Sequence, residues 1–350
     1  MNTKTVAVAL SGGVDSAVSA YILKQQGYNV FGITMKVFEG QSVEDAIYVA
    51  NRLGIKHYIV DYSNDFSREV VDKFIDIYLS GGTPNPCIIC NNKIKYGKLL
   101  DESIRLGADY IAFGHYAKIK YDENNNTYHL LKSNIERKDQ SYLLYHLTQE
   151  KLKHIIFPLN SFKHKDDVRK KLLPIMPLVS KKKDSTDLCF TIGTTLADYI
   201  KNKKNLKNCE GNFVDKNGNF LGNHKGIFNY TIGQKRGLNL NTSKIYYVMK
   251  INAKNNEIIL TDEEIDIYKN KIYVDNINYI NNEFKDKIQF SCKVKVCQWG
   301  YFIDCIVYNL KNEKVLVKFN KPERAPAIGQ SAVFYSDDMV IGGGSIIDTF

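Results

Sequence analysis

The sequence predicts an α/β protein in three parts: an N-terminal parallel-sheet, Rossmann-like domain, a small central domain and a C-terminal antiparallel β-barrel. Three observations predict it. From Thr5 to Phe113 short apolar strands alternate with amphipathic helices. Between about 197 and 265 the segments are short and mixed. From about 268 strand follows strand without a helical period: KIYVDNINYI, KIQFSCKVKVC, YFIDCIVYNL, KVLVKF, SAVFY and MVIGGGSII. Alternation implies an open, mainly parallel sheet, and closely spaced short strands suggest a barrel. The composition shifts place the domains at 1–196, 197–267 and 268–350.

Element by element, TVAVAL over 5–10 reads as a buried first strand, and Ser11 to Ser16 as a tight loop. A helix follows, with Val14, Ala17, Val18, Tyr21 and Ile22 on one face and Gly27 at its end. Strand 28–35 comes next, then a helix capped by Ser42, with Val43, Ala46, Ile47 and Ala50 inward and a stop near Gly54. Strand 56–62, a helix from about Asp65 to Leu79, the Gly81–Pro86 loop, a helix from about Asn92 to Leu106 and strand 109–113 complete the series. Residues 115–132 read as a hairpin around Asp122–Asn126, 139–172 as short helices and 179–195 as a polar, basic loop. In such sheets ligands bind beyond the carboxyl ends of the strands. Ser11–Ser16, Met35 and Gly114-His115 all fall there.

Composition excludes several classes. Across 350 residues, 44% hydrophobic and 25% charged content is that of a folded soluble chain. No apolar run approaches the ~18–20 residues of a membrane span. The N-terminus ends its apolar stretch in a glycine loop rather than a cleavage site, so it reads as a strand and not a signal peptide. Seven cysteines, an odd number, argue against a secreted disulfide framework. These features predict a cytoplasmic protein with reduced thiols and no membrane partner. The net charge of +10 is spread along the chain, which suits an anionic partner such as nucleic acid. A gene rich in Lys and Asn codons is the other source of that charge.

Ser11-Gly12-Gly13-Val14-Asp15-Ser16 carries the clearest chemistry. Two glycines let backbone N–H groups turn toward an anion, and the following helix adds its dipole. Ser11 and Ser16 can donate to phosphate oxygens, and Asp15 can hold Mg²⁺ against a pyrophosphate. GxxxxGK[ST] is absent, and with it the lysine that would neutralise the outer phosphates. The motif resembles the PP-loop of ATP pyrophosphatases, which adenylate a substrate oxygen and release pyrophosphate.

Thr83-Pro84-Asn85-Pro86-Cys87-Ile88-Ile89-Cys90-Asn91 places two thiols just before a predicted helix, whose dipole is expected to lower a thiol pKa. A Cys-x-x-Cys pair also suits a metal, a redox couple or plain packing. Cys189 lies in KKKDSTDLCF, where Lys181–Lys183 are expected to favour its thiolate.

Together these segments resemble the tRNA-specific 2-thiouridylase family. SGGVDS, TPNPC..CN.KIKYG, GADYIAFGHYAKI, KDQSYLLY, KKKDSTDLCF, YTIGQKRGL and GQSAVFY occur in the family's order over nearly the whole chain. The resemblance implies an N-terminal PP-loop domain, a small central domain and a C-terminal barrel. It implies an ATP-dependent tRNA sulfurtransferase that adenylates the C2 oxygen of the anticodon wobble uridine and exchanges it for sulfur, leaving 2-thiouridine, AMP and pyrophosphate. Cys189 would carry the sulfur as a persulfide received from a relay protein. Cys90 would attack Cys189 and form a transient disulfide. Ala9, Leu10, Ser11, Gly12, Gly13, Val14, Asp15, Ser16, Met35 and Gly114 match the ATP-binding positions, with Mg²⁺ as companion. Asn85, Pro86 and Cys87 match the target-base contact, and Lys138, Asp139 and Gln140 a tRNA contact.

Two departures stand out. The common pattern has Asp at Cys87, and an Arg-Tyr tRNA contact where this chain has Cys297-Gln298, so Gln298 is the remaining candidate there. Cys87, Cys90 and Cys189 leave open a second chemistry, an iron–sulfur cluster with one open iron. His115 could touch nucleotide or base, or be structural; Trp299 could pack or stack on RNA. Competing functions are a PP-loop amidoligase making a small metabolite, and a non-enzymatic RNA binder.

Overall fold

The computed structural model describes residues 3–184, 188–207, 209–310 and 313–350. Ser185, Thr186 and Asp187 of the KKKDSTDLCF segment lie outside the described residues.

The N-terminal sheet is five-stranded and parallel. Strands β1 (Thr5–Ala9), β2 (Asn29–Lys36), β3 (Lys56–Asp61), β4 (Tyr110–Ala112) and β7 (Ile155–Ile156) lie in the order β3-β2-β1-β4-β7. Pairing is in register from Thr5↔Asn29 to Ala9↔Ile33 on one side of β1 and from Val6↔Tyr110 to Val8↔Ala112 on the other. Val6, Ala7 and Val8 are fully buried, because helices cover both faces. The fifth strand was not anticipated: two residues are too few for a periodic signal.

Helix α1 (Val14–Gln25) and helix α2 (Glu44–Leu53) pack on one face with Leu159, Val168 and Met176. In α2 the inward residues are Ala46, Val49, Ala50 and Leu53, while Ile47 is outside. The opposite face is covered by α4, which corrects the expected helix start near Asn92. It starts at Pro86 and runs through Pro86–Cys90, a π-helical stretch Asn91–Leu99 and Leu100–Arg105. Asn85 caps it, accepting the Cys87 N–H at 3.0 Å, and Pro86 occupies the first helical position. Cys87 and Cys90 therefore sit inside a helix rather than before it. Helix α3 is likewise segmented, Ser63–Phe66, Ser67–Asp72 (π) and Lys73–Leu79.

The predicted hairpin forms as β5 (Lys118–Asp122) and β6 (Thr127–Leu131). Leu131 pairs with Met339 of the last strand, so the hairpin extends the C-terminal sheet. The central domain is a four-stranded sheet of β8 (Gly211–Val214), β9 (Phe220–His224), β10 (Tyr247–Asn252) and β11 (Glu257–Thr261), ordered β10-β11-β8-β9. Six strands then close a barrel: β12 (Tyr268–Tyr279), β13 (Gln289–Lys295), β14 (Ile303–Asn309), β15 (Val315–Arg324), β16 (Ser331–Ser336) and β17 (Met339–Thr349). The antiparallel order β12-β15-β14-β13-β16-β17 returns to β12, leaving no open edge among these strands.

The segment 141–145 docks the barrel on the first domain. Tyr142 Oη donates to Ser331 O at 2.8 Å, Ser141 Oγ lies 3.2 Å from Tyr335 Oη, and Asn278 Nδ2 donates to Tyr145 O at 2.7 Å. Tyr142, Tyr145, Val333 and Tyr335 share one core with Tyr96 and Phe113.

Candidate active site

The loop between β1 and α1 has the geometry of an anion cradle. Gly12 has φ +74°, and a Cβ there would overlap Asp45 Cβ, so only glycine fits. Ser11 Oγ and Ser16 Oγ lie 3.1 Å apart, Gly13 N–H reaches Ser11 Oγ at 3.4 Å, and Ser16 Oγ donates to Gly13 O at 3.1 Å. These bonds hold the loop curled over the first turn of α1, where backbone N–H groups lack helical partners. Leu10 is buried behind the loop, its N–H bonded to Ile33 O at 2.9 Å. Gly114, beyond β4, lies so near α1 that a Cβ would come within 2.8 Å of Asp15 Cβ. Ala9 ends β1, Met35 is the penultimate residue of β2 and Gly114 follows the last residue of β4 by two, so all three lie at the carboxyl ends of adjacent strands. The cradle fits phosphate groups.

Asp15 carries more than its sequence position disclosed. Its Oδ1 accepts Tyr116 Oη at 2.6 Å and Lys165 Nζ at 2.6 Å. Among the described residues no hydrogen bond reaches Oδ2, which leaves it open to a metal on a bound nucleotide. Lys165 also lies 3.2 Å from Asp184 Oδ1, and Asp184 takes Arg169 at 2.7 Å and Lys138 at 2.8 Å. Partial burial opposes ionisation of Asp184, but the hydrogen bonds and charges of Lys138 and Lys165 prevail and hold its pKa below the ordinary carboxylate value. Burial, with the Asp15 charge beside it, pushes the Tyr116 hydroxyl up. Tyr116, Lys165, Arg169 and Asp184 were not picked out in the sequence. The only signals were Lys165 and Arg169 four apart on one helical face, and Asp184 inside a motif already noted.

The thiols lie beside the same strand ends. Cys90 is buried in a cluster with Val37, Ile94 and Phe190, against which Met35 and Leu188 pack. Phe190 places Cys189: its ring meets Phe66 at 6.0 Å, Phe74 at 5.5 Å and Tyr199 at 5.3 Å. Cys87 and Cys189 are exposed, and all seven cysteines are free thiols. Cys90 and Cys189 each feel the charge of Cys87 and of Lys95, so the structure gathers the three thiols and one ammonium.

The expected low thiol pKa values are not found. Burial pushes Cys90 up to about 12, with Lys95 pulling only partly back. Desolvation by the surrounding protein and the nearby Cys87 raise Cys189 as well. Cys90 stands a full turn inside α4, beyond the dipole's reach. Of the Lys181–Lys183 run, Lys182 is held by Asp45, and the cation that acts on both thiols is Lys95 of the KIKYG motif. Among the described residues no group of three or more His, Cys, Asp or Glu is arranged to hold a metal ion, so Cys87, Cys90 and Cys189 do not fit an iron–sulfur cluster as placed.

The residues expected at the RNA divide. Lys138 is half-exposed beside Asp184. Asp139 is buried, accepting Ser133 N–H at 2.9 Å and Ser141 Oγ at 2.8 Å, and burial raises its pKa. Gln140 Oε1 accepts Tyr116 N–H at 3.0 Å. Asn85 is a helix cap and Pro86 is buried, which leaves Cys87 as the outward member of that trio. Gln298 Nε2 reaches Asp139 O at 3.4 Å, beside a Trp299 that is 77% exposed. His115 is buried, its Nδ1 2.7 Å from Tyr96 Oη, and desolvation holds it well below the ordinary histidine value. No helix among the described residues is long and apolar enough to cross a membrane.

Three family models match consecutive stretches: the tRNA methyl transferase HUP domain over 4–193, the tRNA methyl transferase PRC-barrel domain over 197–262 and the aminomethyltransferase beta-barrel domain over 269–346. The chain is 41% identical to the tRNA-specific 2-thiouridylase MnmA of Acetivibrio thermocellus, covering 99% of this chain and 100% of that one. It is 42% identical to MnmA 2 of Clostridium botulinum (strain Okra / Type B1), covering 98% and 99%. It is 42% identical to MnmA 2 of Thermoanaerobacter sp. (strain X514), covering 97% of each. With that identity end to end, and with the phosphate cradle and the thiols gathered on one sheet, the chain belongs to the tRNA-specific 2-thiouridylase (MnmA) family.

Proposed function

We propose that this chain is a tRNA-specific 2-thiouridylase that uses ATP to replace the C2 oxygen of a wobble uridine with sulfur from a cysteine persulfide. The observation that carries the reading is the shared position of cradle and thiols: Met35, at the nucleotide-side end of β2, packs in the cluster that buries Cys90. The domain limits 1–196, 197–267 and 268–350 belong to this proposal; the matched segments 4–193, 197–262 and 269–346 support them.

The chemistry follows from those groups. Ser11, Gly12, Gly13 and the first turn of α1 hold the phosphates, and Asp15 Oδ2 is the ligand available to Mg²⁺. The metal, when bound, neutralises charge on the departing pyrophosphate. The uridine O2 attacks the α-phosphorus, the bond to the β-phosphate breaks, and pyrophosphate leaves with the electron pair. N3 loses its proton as the C2–O2 bond becomes single. The Cys189 thiolate attacks the terminal sulfur of a persulfide-bearing relay protein, the donor's sulfur–sulfur bond breaks, its cysteine leaves as a thiolate, and Cys189 carries the persulfide. That terminal sulfur, as an anion, attacks C2, and AMP departs with the original oxygen. Cys90, as thiolate, then attacks Cys189 Sγ. The sulfur–sulfur bond breaks, sulfur stays on C2 with the electron pair, N3 is reprotonated, and a Cys90–Cys189 disulfide forms. A dithiol reductant returns both thiols.

Burial raises the Cys90 thiol, so its attack as a thiolate requires that its proton be removed first. The +10 charge suits the phosphate backbone, and an anticodon base must be splayed out to be reached. Cys87 is the side chain of the Asn85–Cys87 turn free to meet the base; Lys138 is the outward member of the Lys138–Gln140 trio, and Gln298 lies beside it through Asp139.

The test is anaerobic assay of the purified protein with tRNA, Mg-ATP and a persulfide donor, reading AMP, pyrophosphate and 2-thiouridine by mass spectrometry. Thiolation by metal-free protein, with a trapped Cys90–Cys189 disulfide and a Cys87→Ser variant that still thiolates, is the expected result. Stoichiometric cluster iron together with loss of thiolation in Cys87→Ser overturns the persulfide route.

A further inference from the structure

The nucleotide loop has no lysine of its own, yet an ammonium stands over it. Lys165 opens the helix Lys165–Leu172, which packs against α1. Its side chain is 13% exposed, and Nζ reaches Asp15 Oδ1 at 2.6 Å and Asp184 Oδ1 at 3.2 Å. The Tyr116 ring lies 5.3 Å beneath it. Two positive features, the N-terminus of α1 and this ammonium, thus flank the Asp15 carboxylate. A triphosphate in the cradle would bring negative charge to the same point, and Asp15 would be the residue to hold its metal.

The neighbouring cations are placed for other work. Arg169 is locked by Ser180 O at 2.7 Å, Lys182 O at 2.6 Å and Asp184 at 2.7 Å. Lys138 meets Asp184 on its other oxygen, Oδ2. Among the described residues Lys165 alone bridges the loop carboxylate and Asp184, on a flexible stem that can pivot without moving the helix.

We propose that Lys165 is the phosphate-binding cation of the nucleotide site, held by Asp15 and Asp184 in the nucleotide-free protein and handed to the β- and γ-phosphates when ATP enters. The inference rests on reading the Ser11–Ser16 loop as the ATP site. It explains how a PP-loop without a Walker lysine can neutralise a departing pyrophosphate: the charge comes from a helix about 150 residues downstream, as the sequence separation in the Lys165–Asp15 bond records. Asp184 keeps Lys138 and Arg169 as partners when Lys165 leaves.

The experiment compares equilibrium binding of ATP, inorganic pyrophosphate and AMP, each with Mg²⁺, to the wild type and to Lys165→Met, with circular dichroism to check folding. A charge-assisted hydrogen bond of ~1.5–3 kcal/mol corresponds to about a 10- to 100-fold loss of ATP and pyrophosphate affinity. AMP, lacking the outer phosphates, should stay within about twofold by the same accounting. Lys165→Arg should recover most of the pyrophosphate affinity. Lys165→Gln, which keeps a hydrogen-bond donor toward Asp15 and Asp184 in case the methionine variant fails to fold, must show the same selective loss of ATP over AMP. Equal losses for ATP and AMP, or none, overturn the assignment while leaving the ATP site standing. A wild type that binds neither ATP nor pyrophosphate overturns both.

Discussion

The Asn85 side chain accepts the Cys87 backbone N–H at 3.0 Å, and this bond starts helix α4. It fixes the direction in which Cys87 leaves the helix and the depth at which Cys90 enters the core. Asn85→Ala should cost about 1 kcal/mol of stability through the lost cap, and Asn85→Asp much less. Urea denaturation of the two variants checks this; equal stabilities would mean the cap does not hold the turn.

The burial pattern predicts an order of thiol modification. Iodoacetamide near neutral pH should label the exposed Cys87 and Cys297 first, the exposed Cys189 more slowly because desolvation raises its thiol, and the buried Cys90 and Cys305 last. Cys90, pushed up to about 12, should stay protected as pH rises past the range where free thiols react, near 8.5. Peptide mapping by mass spectrometry reads the order, and rapid labelling of Cys90 in the resting protein would contradict the structure.

Buried histidines should make the fold acid-sensitive. Burial holds His146 down to about 3, against an unfolded value of about 6.5. Between those values the unfolded chain binds a proton that the folded chain refuses, so stability rises with pH and is lost as pH falls. The slope from one such group is about 1.4 kcal/mol per pH unit. His146→Leu should flatten the stability profile between about pH 6 and pH 4 by that amount. An unchanged slope would show that the ring is protonated in the folded state.

Asp15→Ala should abolish tRNA-dependent pyrophosphate release while tRNA affinity survives, because the basic surface is untouched. Pyrophosphate release at the wild-type rate would remove Asp15 from the nucleotide chemistry.

Affinity for tRNA should fall steeply with salt, with a log–log slope of about several units, since each phosphate contact releases counterions. A flat response in filter-binding assays would mean that the +10 charge reflects codon bias rather than RNA recognition.

The parallel sheet, the phosphate loop and the strand-rich C-terminus were legible in the sequence, because each rests on a local rule. Alternating apolar runs, Gly12-Gly13 at a strand–helix junction and closely spaced strands need no distant partner to be read. The start of α4 was misplaced for a local reason too: Asn85-Pro86 is a cap and first-turn signal, but the prolines and glycines before it read as loop. The order of motifs also pointed to Cys90 and Cys189, and the fold brings both near Cys87 and Lys95.

What only the tertiary structure decided was electrostatic. Whether a thiol ionises depends on which atoms exclude water from it, and Phe190 and Ile94 bury Cys90 in a way no neighbour in sequence announces. Which cation acts depends on distance through space, so Lys95 replaces Lys181–Lys183 beside the thiols. Lys165 reaches Asp15 for the same reason. The sequence by itself determined the sheet, the cradle and the family; the folded chain decided which side chains stand within a few ångströms of the chemistry, because Coulomb and desolvation energies fall off with spatial separation and take no account of separation along the chain.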